Sequence, residues 1–256
     1  MHAIVRTTFW TLFLAIALTQ AACTSRNADD EAVMFDIPGP VAVEVETFGG
    51  DVRLIADPTA TQARVSVERW ADFGEDREED AELSLADIQY TAGVETAAEG
   101  PVLAVRATTS NPEPHRQRAN ISITLPAADG VRIVTGDGEV TVIDAEGAIE
   151  IEASQEVAFM TNWPLTHPVS ITTQEGGIDL RVRGESRGDI RAETLDGEVT
   201  IRNKFGQLRT LHHDGRRLHS VLNDGENEIV LRAVEGDVSI SVVDDPTERG
   251  WWIVRR

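Results

Sequence analysis

Four side chains that could bind a metal lie close together in the C-terminal third of the chain. His212, His213, Asp214 and His219 fall within eight residues. A zinc site needs three or four converging ligands that surrounding hydrogen bonds hold in place. Adjacent strand residues point to opposite faces, so His212 and His213 do not easily reach one ion. His213, Asp214 and His219 could do so if the loop folds back. We therefore expect an ordinary loop cluster and no bound metal.

Nucleophilic and phosphate chemistry have little support in the sequence. Ser220 follows His219, but no nucleophile-elbow motif surrounds it. The glycine pairs in Gly136-Asp-Gly138 and Gly176-Gly177 lack the following helix and lysine of a phosphate loop. We predict no catalytic residue and no cofactor.

Carbohydrate chemistry is the strongest enzymatic alternative, because stacked β folds present carboxylates along a face. A glycosidase needs two carboxyl groups about 5–5.5 Å apart when it retains configuration, or about 6.5–9.5 Å apart when it inverts. The outward candidates beside glycine turns are Glu139, Glu150, Asp179, Glu198 and Asp237. Their even spread is more typical of a solvated face than of a catalytic pair.

The charge of the chain excludes one class of partner. Its 256 residues carry a formal net charge of −21, and Lys204 is the single lysine. Such a surface repels phosphate backbones, so we expect no nucleic-acid binding. The length allows a sizeable core, and the low aromatic content of 5% indicates that aliphatic side chains fill it.

The N-terminus has the three parts of an export signal. A short segment with Arg6 precedes the apolar run 7–18, and small residues follow it. The apolar run is too short for a comfortable membrane span. We therefore predict a signal peptide over residues 1–22.

The sole cysteine, Cys23, lies where this signal ends and predicts a lipid anchor. Cys23 after Ala21 and Ala22 resembles a bacterial lipoprotein signal, although Gln20 departs from the usual apolar residue. The resemblance implies acylation of Cys23, with residues 23–35 as a flexible tether to the membrane. The residue after the cysteine is Thr24 and not Asp, which resembles the enteric-type signal for sorting to the outer membrane. The protein is therefore expected to be exported and lipid-anchored at the outer membrane, facing the periplasm or the surface. Cleavage to a soluble form and an uncleaved anchor are the alternatives.

Residues 36–126 form a predicted N-terminal β region with one interruption. Val41, Val43 and Val45 alternate with polar residues, as on a half-buried strand. The acidic excursion 72–87 breaks the pattern and is read as a solvated segment with a short helix near 79–86. Its acidic spacing matches no EF-hand calcium loop.

Residues 127–245 repeat one phrase of strand, glycine turn and strand. Gly138 and Gly147 mark turns nine residues apart, and Gly197 and Gly206 repeat this spacing. Short, evenly spaced strands predict an all-β fold, a β-solenoid-like stack, with a β-sandwich as the alternative. The predicted inward side chains are Val140, Val142, Ile149, Ile151, Val169, Ile171, Ile178, Leu180, Val182, Ile190, Val199, Ile201, Ile229, Leu231, Val238 and Ile240.

The C-terminal segment 246–256 is predicted to be a final strand or cap. Trp251 and Trp252 alternate in it, so one of them could cover an open end of the stack. A platform on which glycans stack is the alternative use of these two rings.

The repeats resemble a known family, the bacterial adhesin domains of the DUF4097 type. The resemblance rests on Ile121 to Pro126, Val131 to Val142, Ile190 to Ile201 and Ile229 to Ile240. It implies a β-solenoid-like stack on an exported or envelope-facing protein, and it brings no catalytic residues.

We therefore expect a non-enzymatic envelope lipoprotein whose acidic, repetitive surface serves adhesion or scaffolding. Its expected partners are the membrane, through Cys23, and an envelope protein or polysaccharide. A carbohydrate-active enzyme and an accessory partner in envelope stress sensing are the alternatives.

Overall fold

The computed structural model of the chain describes residues 26–29, 32–98 and 100–248. The predicted signal peptide, Cys23 and the Trp251-Trp252 pair lie outside the described residues. None of the described helices is long and apolar enough to cross a membrane.

Strands are the main secondary structure of the described chain. They are β1 (Arg26–Asp29), β2 (Val33–Phe35), β3 (Val41–Thr47), β4 (Val52–Ala56), β5 (Ala63–Ala71), β6 (Ile88–Ala97), β7 (Gly100–Thr109), β8 (Gln117–Leu125), β9 (Ala128–Thr135), β10 (Val140–Ile143), β11 (Glu146–Ala153), β12 (Val157–Met160), β13 (Val169–Thr173), β14 (Ile178–Arg183), β15 (Gly188–Asp196), β16 (Val199–Asn203), β17 (Leu208–His213), β18 (Arg217–Leu222), β19 (Glu228–Glu235) and β20 (Val238–Val243). One α-helix, α1 (Glu78–Ser84), lies in the acidic excursion. The predicted all-β, β-solenoid-like fold is confirmed.

Two ten-stranded sheets enclose the core. Sheet I has the order β1-β5-β8-β4-β10-β12-β14-β20-β16, and β2 also pairs with β5. Sheet II has the order β17-β18-β15-β19-β13-β11-β9-β3-β7-β6. Most neighbours in both sheets are parallel, as in a solenoid, whereas β5, β6, β17 and β18 pair antiparallel near the ends.

The order of the strands in the sheets differs from their order in the sequence. Each turn of the stack places one strand in each sheet, for example β9 and β10, or β11 and β12. The last turn, β19 and β20, is inserted between β13–β14 and β15–β16. At the other end, β3 and β4 lie between β7–β8 and β9–β10. The last two strands that the structure describes are therefore protected inside the stack.

The core follows the predicted alternation closely. Of the sixteen predicted inward side chains, all but Ile201 are buried. They stack in rows across the sheets, as Ile149, Val169 and Ile229 do in sheet II. Ile201 is only half-buried because its strand, β16, is the last strand of sheet I. Parallel strands with an aliphatic inner face thus account for the fold.

The glycine turns bring backbones of adjacent turns into direct contact. Gly138 has φ 150°, and a Cβ there would overlap the carbonyl group of Gly50. Gly197, with φ 155°, abuts Gly236 in the same way at the other end of the stack. Glycine is required at these positions by backbone conformation and space, as the sequence predicted, and not by a ligand.

Buried threonines complete the same corners. Thr135 donates its hydroxyl to the carbonyl oxygen of Gly50 at 3.1 Å, and Thr194 donates to Gly236 at 2.8 Å. Thr173 donates to Gly176 within its own turn at 2.6 Å. Each threonine lies three residues before a corner glycine, so its hydroxyl satisfies a carbonyl that the turn leaves without a strand partner.

The acidic excursion closes one end of the stack. The predicted short helix near 79–86 is present as α1, and Phe73, Ala81 and Ala71 form a small buried cluster beneath it. Arg77 pairs with Asp80 at 2.8 Å on the solvent side. The segment therefore caps the end of the stack with its apolar side chains, and its acidic side chains face the solvent.

The structure differs from the flexible tether predicted over residues 23–35. Arg26–Asp29 and Val33–Phe35 form β1 and β2, which both pair antiparallel with β5. The outer edge of β5 offers unpaired backbone groups, and these short segments satisfy them.

The corner packing can be tested with two glycine substitutions. Gly138→Ala is expected to destabilise the fold by about 3 kcal/mol or more, because it adds a steric overlap to backbone strain. Gly215→Ala is the matched control, since Gly215 also has positive φ (89°) but has open space around its Cα. It should cost only about 1–2 kcal/mol. Equal losses in chemical denaturation would contradict the proposed corner contact.

Candidate functional site

The histidine cluster does not converge on one point. His212 and His219 are cross-strand partners in β17 and β18, but His212 donates to Asp214 at 3.2 Å, whereas His219 donates to Asp189 at 2.6 Å. His213 donates instead to the backbone carbonyl of Val199 at 2.9 Å. Among the residues that the structure describes, no three His, Cys, Asp or Glu side chains could hold a metal ion together.

Asp214 organises the turn between β17 and β18. Its carboxylate accepts the backbone N–H groups of Arg216 at 3.0 Å and Arg217 at 2.8 Å. These bonds and the His212 side chain hold the pKa of Asp214 below its ordinary value. The carboxylate is thus a turn-forming group.

The five outward carboxylates predicted from sequence are distributed over both sheets. Glu139, Asp179, Glu198 and Asp237 belong to the side of sheet I, whereas Glu150 lies on sheet II. Asp237 accepts the backbone N–H of Glu198 at 2.8 Å. Its carboxylate therefore ties two adjacent corners together.

Asp179 lies in a surface groove that crosses the outer face of sheet I. This groove has a volume of about 1300 Å³ and runs over β14, β20 and β16. Asp179 and Arg181 form a 2.6 Å ion pair on its floor, and both side chains are mostly covered. The pairing neutralises the floor of the groove.

A smaller pocket brings together side chains that are distant in the sequence. It holds about 210 Å³ and lies between the loop after β12 and the starts of β9 and β11. Trp163, Asp129, Glu146 and His167 line it, and the buried Leu165 lies at its base. Trp163 is 48% exposed. An accessible indole beside two carboxyl groups combines an apolar surface with hydrogen-bond acceptors.

The pocket changes the ionisation of one of its carboxyl groups, that of Glu146. Asp129 and Glu146 are paired in register between β9 and β11. Partial burial and the nearby Asp129 charge raise the pKa of Glu146, while His167 opposes the shift. Like charges held at adjacent strand positions produce this direction of shift.

Sequence reasoning did not identify this pocket. Trp163 carries the one available signal, since the segment Asn162-Trp-Pro164 replaces the usual glycine corner with a longer loop. An aromatic residue in a loop that interrupts a repeat is typical of a binding position. Asp129 and Glu146 looked like ordinary corner residues.

The raised pKa of Glu146 makes a pH-dependent prediction. A carboxyl group whose pKa is raised in the folded state is harder to ionise there than in the unfolded chain. It therefore destabilises the fold at pH values above the raised pKa, where it is ionised in both states. Glu146→Gln should therefore raise the unfolding temperature slightly at pH 7, and this gain should disappear well below the ordinary carboxyl pKa. Thermal unfolding across pH 3–8 measures the effect. Glu150→Gln is the control, and an equal pH dependence in both variants would contradict the assignment.

Comparison with known structures supports the fold. The structure described as a "putative cell adhesion protein" from Clostridium sporogenes superposes with a TM-score of 0.56 and 13% identity, covering 85% of this chain and all of the other. A "putative adhesin" from Bacteroides fragilis reaches a TM-score of 0.33 at 13% identity, covering 86% and 97% of the two chains. No curated protein matches the chain.

The family comparison agrees with the architecture. The model of the family described as Toastrack DUF4097 matches residues 25–241, which span both sheets from before β1 into β20. The match includes the corner glycines and the pocket around Trp163. Because this match covers most of the chain, the chain belongs to the Toastrack DUF4097 family.

Proposed function

We propose that the protein is an exported, lipid-anchored, adhesin-like protein that binds an envelope polysaccharide without modifying it. The pocket around Trp163 carries the proposal. Sugar rings have an apolar face and a rim of hydroxyl groups, which matches an indole surface beside hydrogen-bond acceptors. Asp129 and Glu146 supply such acceptors at the same pocket.

The setting of the pocket suits binding to an extended polymer. Asp129 and Glu146 lie at the starts of β9 and β11, and Pro40 and Trp163 lie in the loops before β3 and after β12. The sheets hold these four segments in place. Trp163, at 48% exposure, remains accessible to a polymer at the surface. A rigid scaffold reduces the ordering cost of binding.

The similar structure from Clostridium sporogenes supports an adhesive role only through its description as a cell adhesion protein. At 13% identity that likeness shows a shared fold. The export signal and Cys23 supply the separate argument for the envelope, because they lie just before the matched residues 25–241.

Binding can be measured with purified envelope polysaccharides. Trp163→Ala is expected to weaken retention on a polysaccharide column about tenfold or more, because the indole face provides most of the apolar contact. Phe205→Ala is the matched control, since Phe205 is 46% exposed but lies in the other groove. Equal retention of wild type and Trp163→Ala would overturn the proposal.

A carbohydrate-active enzyme is the second candidate, and one observation favours it. The pKa of Glu146 is raised beside Asp129, which is the direction that a general acid in a glycosidase requires. Release of reducing ends from a retained polysaccharide, lost in Glu146→Gln, would identify the enzyme. Binding without release supports the non-enzymatic proposal.

The anchor has its own test. Labelling of cells with a fatty-acid analogue should mark the wild-type chain, and Cys23→Ala should lose the label because acylation requires the thiol. Cys23 is the only cysteine, so no other thiol can substitute. Equal labelling of both chains would refute the anchor and leave the polysaccharide proposal standing.

A further inference from the structure

The two ends of the stack carry opposite charge. Residues 72–95, at the end formed by α1 and β6, contain nine acidic residues and one arginine. Residues 199–223, at the end formed by β16, β17 and β18, contain one acidic residue and five basic ones. The basic residues are Arg202, Lys204, Arg209, Arg216 and Arg217. A chain with net charge −21 thus has one locally positive end.

The same two ends present the free edges of sheet II. Within the described residues, β6 pairs only with β7, and β17 pairs only with β18. Both strands are largely exposed, including Val94 on β6 (42%) and Leu211 on β17 (48%). An unpaired edge strand is a template for pairing with another chain.

The strand directions allow these two edges to pair. β17 is antiparallel to β18, which is antiparallel to β15, so β17 runs in the direction of the parallel strands. β6 is antiparallel to β7 and runs against that direction. If a second copy is translated along the stack, its β6 meets β17 as an antiparallel neighbour. That is the arrangement in which β6 already pairs with β7.

Charge selects among the possible pairings. Two β17 edges would bring Arg209 and the histidines of each copy together, and two β6 edges would bring the acidic ends together. Like charges placed opposite each other across a sheet are destabilising. Edge charges that block association of like edges favour association of unlike edges.

We propose that copies of this chain associate head to tail, with β17 of one copy extending sheet II against β6 of the next. Such a heterologous contact does not close on itself and generates an open filament. The described strand that follows Cys23 in the sequence, β1, pairs with β5 in sheet I and not with β6. This inference is independent of the proposed polysaccharide binding.

Cysteine crosslinking of the full-length chain in intact bacterial envelopes tests the contact. The double variant Val94→Cys/Leu211→Cys, treated with a short bis-maleimide, is expected to give a ladder of dimers, trimers and larger products. The wild type, which contains only Cys23, should remain monomeric. Mixed expression of the two single variants should stop at the dimer, because each copy carries one half of the contact.

Two results would overturn the proposal. One is the absence of products larger than the monomer from a double variant that retains the protease resistance of the wild type. The other is efficient dimer formation by either single variant alone, which would show a symmetric pairing of like edges.

Charge reversal provides a second measurement on the same crosslinking background. Arg209→Glu should abolish the ladder, because it places a negative charge opposite the acidic end of the next copy. Arg53→Glu is the control, since Arg53 is exposed on sheet I in β4, away from both ends. Loss of the ladder in both variants would contradict a specific role for the basic end.

Discussion

Contact between backbones at the corners constrains everything else in this fold. Neighbouring strands in a sheet are separated by about 4.8 Å, so each corner must follow the path of the one beside it. At Gly138 and Gly197 the adjacent backbone occupies the place of a side chain. Thr135 and Thr194 then supply the missing hydrogen bonds. The corners are therefore filled by the protein itself, and functional groups must lie on loops that depart from the repeat.

The alternation of the strands could be predicted from the sequence, but their order could not. Val169, Ile229 and Ile190 occupy the same position in three neighbouring strands of sheet II. They are close in size and equally apolar, so the inner face of β19 fits beside either β13 or β15. The insertion of the last turn depends on its loops and on long-range contacts, which a local pattern does not reveal. The prediction that Ile201 is buried was wrong for a related reason, because β16 is an edge strand only through the strand order of sheet I.

The candidate site was predictable only in fragments. The histidines are close in sequence, but strand alternation and separate hydrogen-bond partners keep His213 away from His219. By contrast, Asp129, Glu146 and Trp163 are separated by many residues, and the stacking of turns brings them to one pocket. The histidines are thus close in the sequence without sharing a site, whereas the pocket residues share a site without being close in the sequence. What could be read locally was the loop that interrupts the repeat at Trp163.

The distribution of charge matters more for association than the total. A net charge of −21 makes any two copies repel each other at long range, particularly at low ionic strength. Only an orientation that places the basic end of one copy near the acidic end of another reduces that repulsion. A solenoid inevitably leaves sheet edges at its two ends, and helix α1 covers the core at one end without covering the β6 edge. Because the two edges differ in charge, like edges repel each other and symmetric pairing is disfavoured. The same difference favours the one orientation in which unlike edges meet.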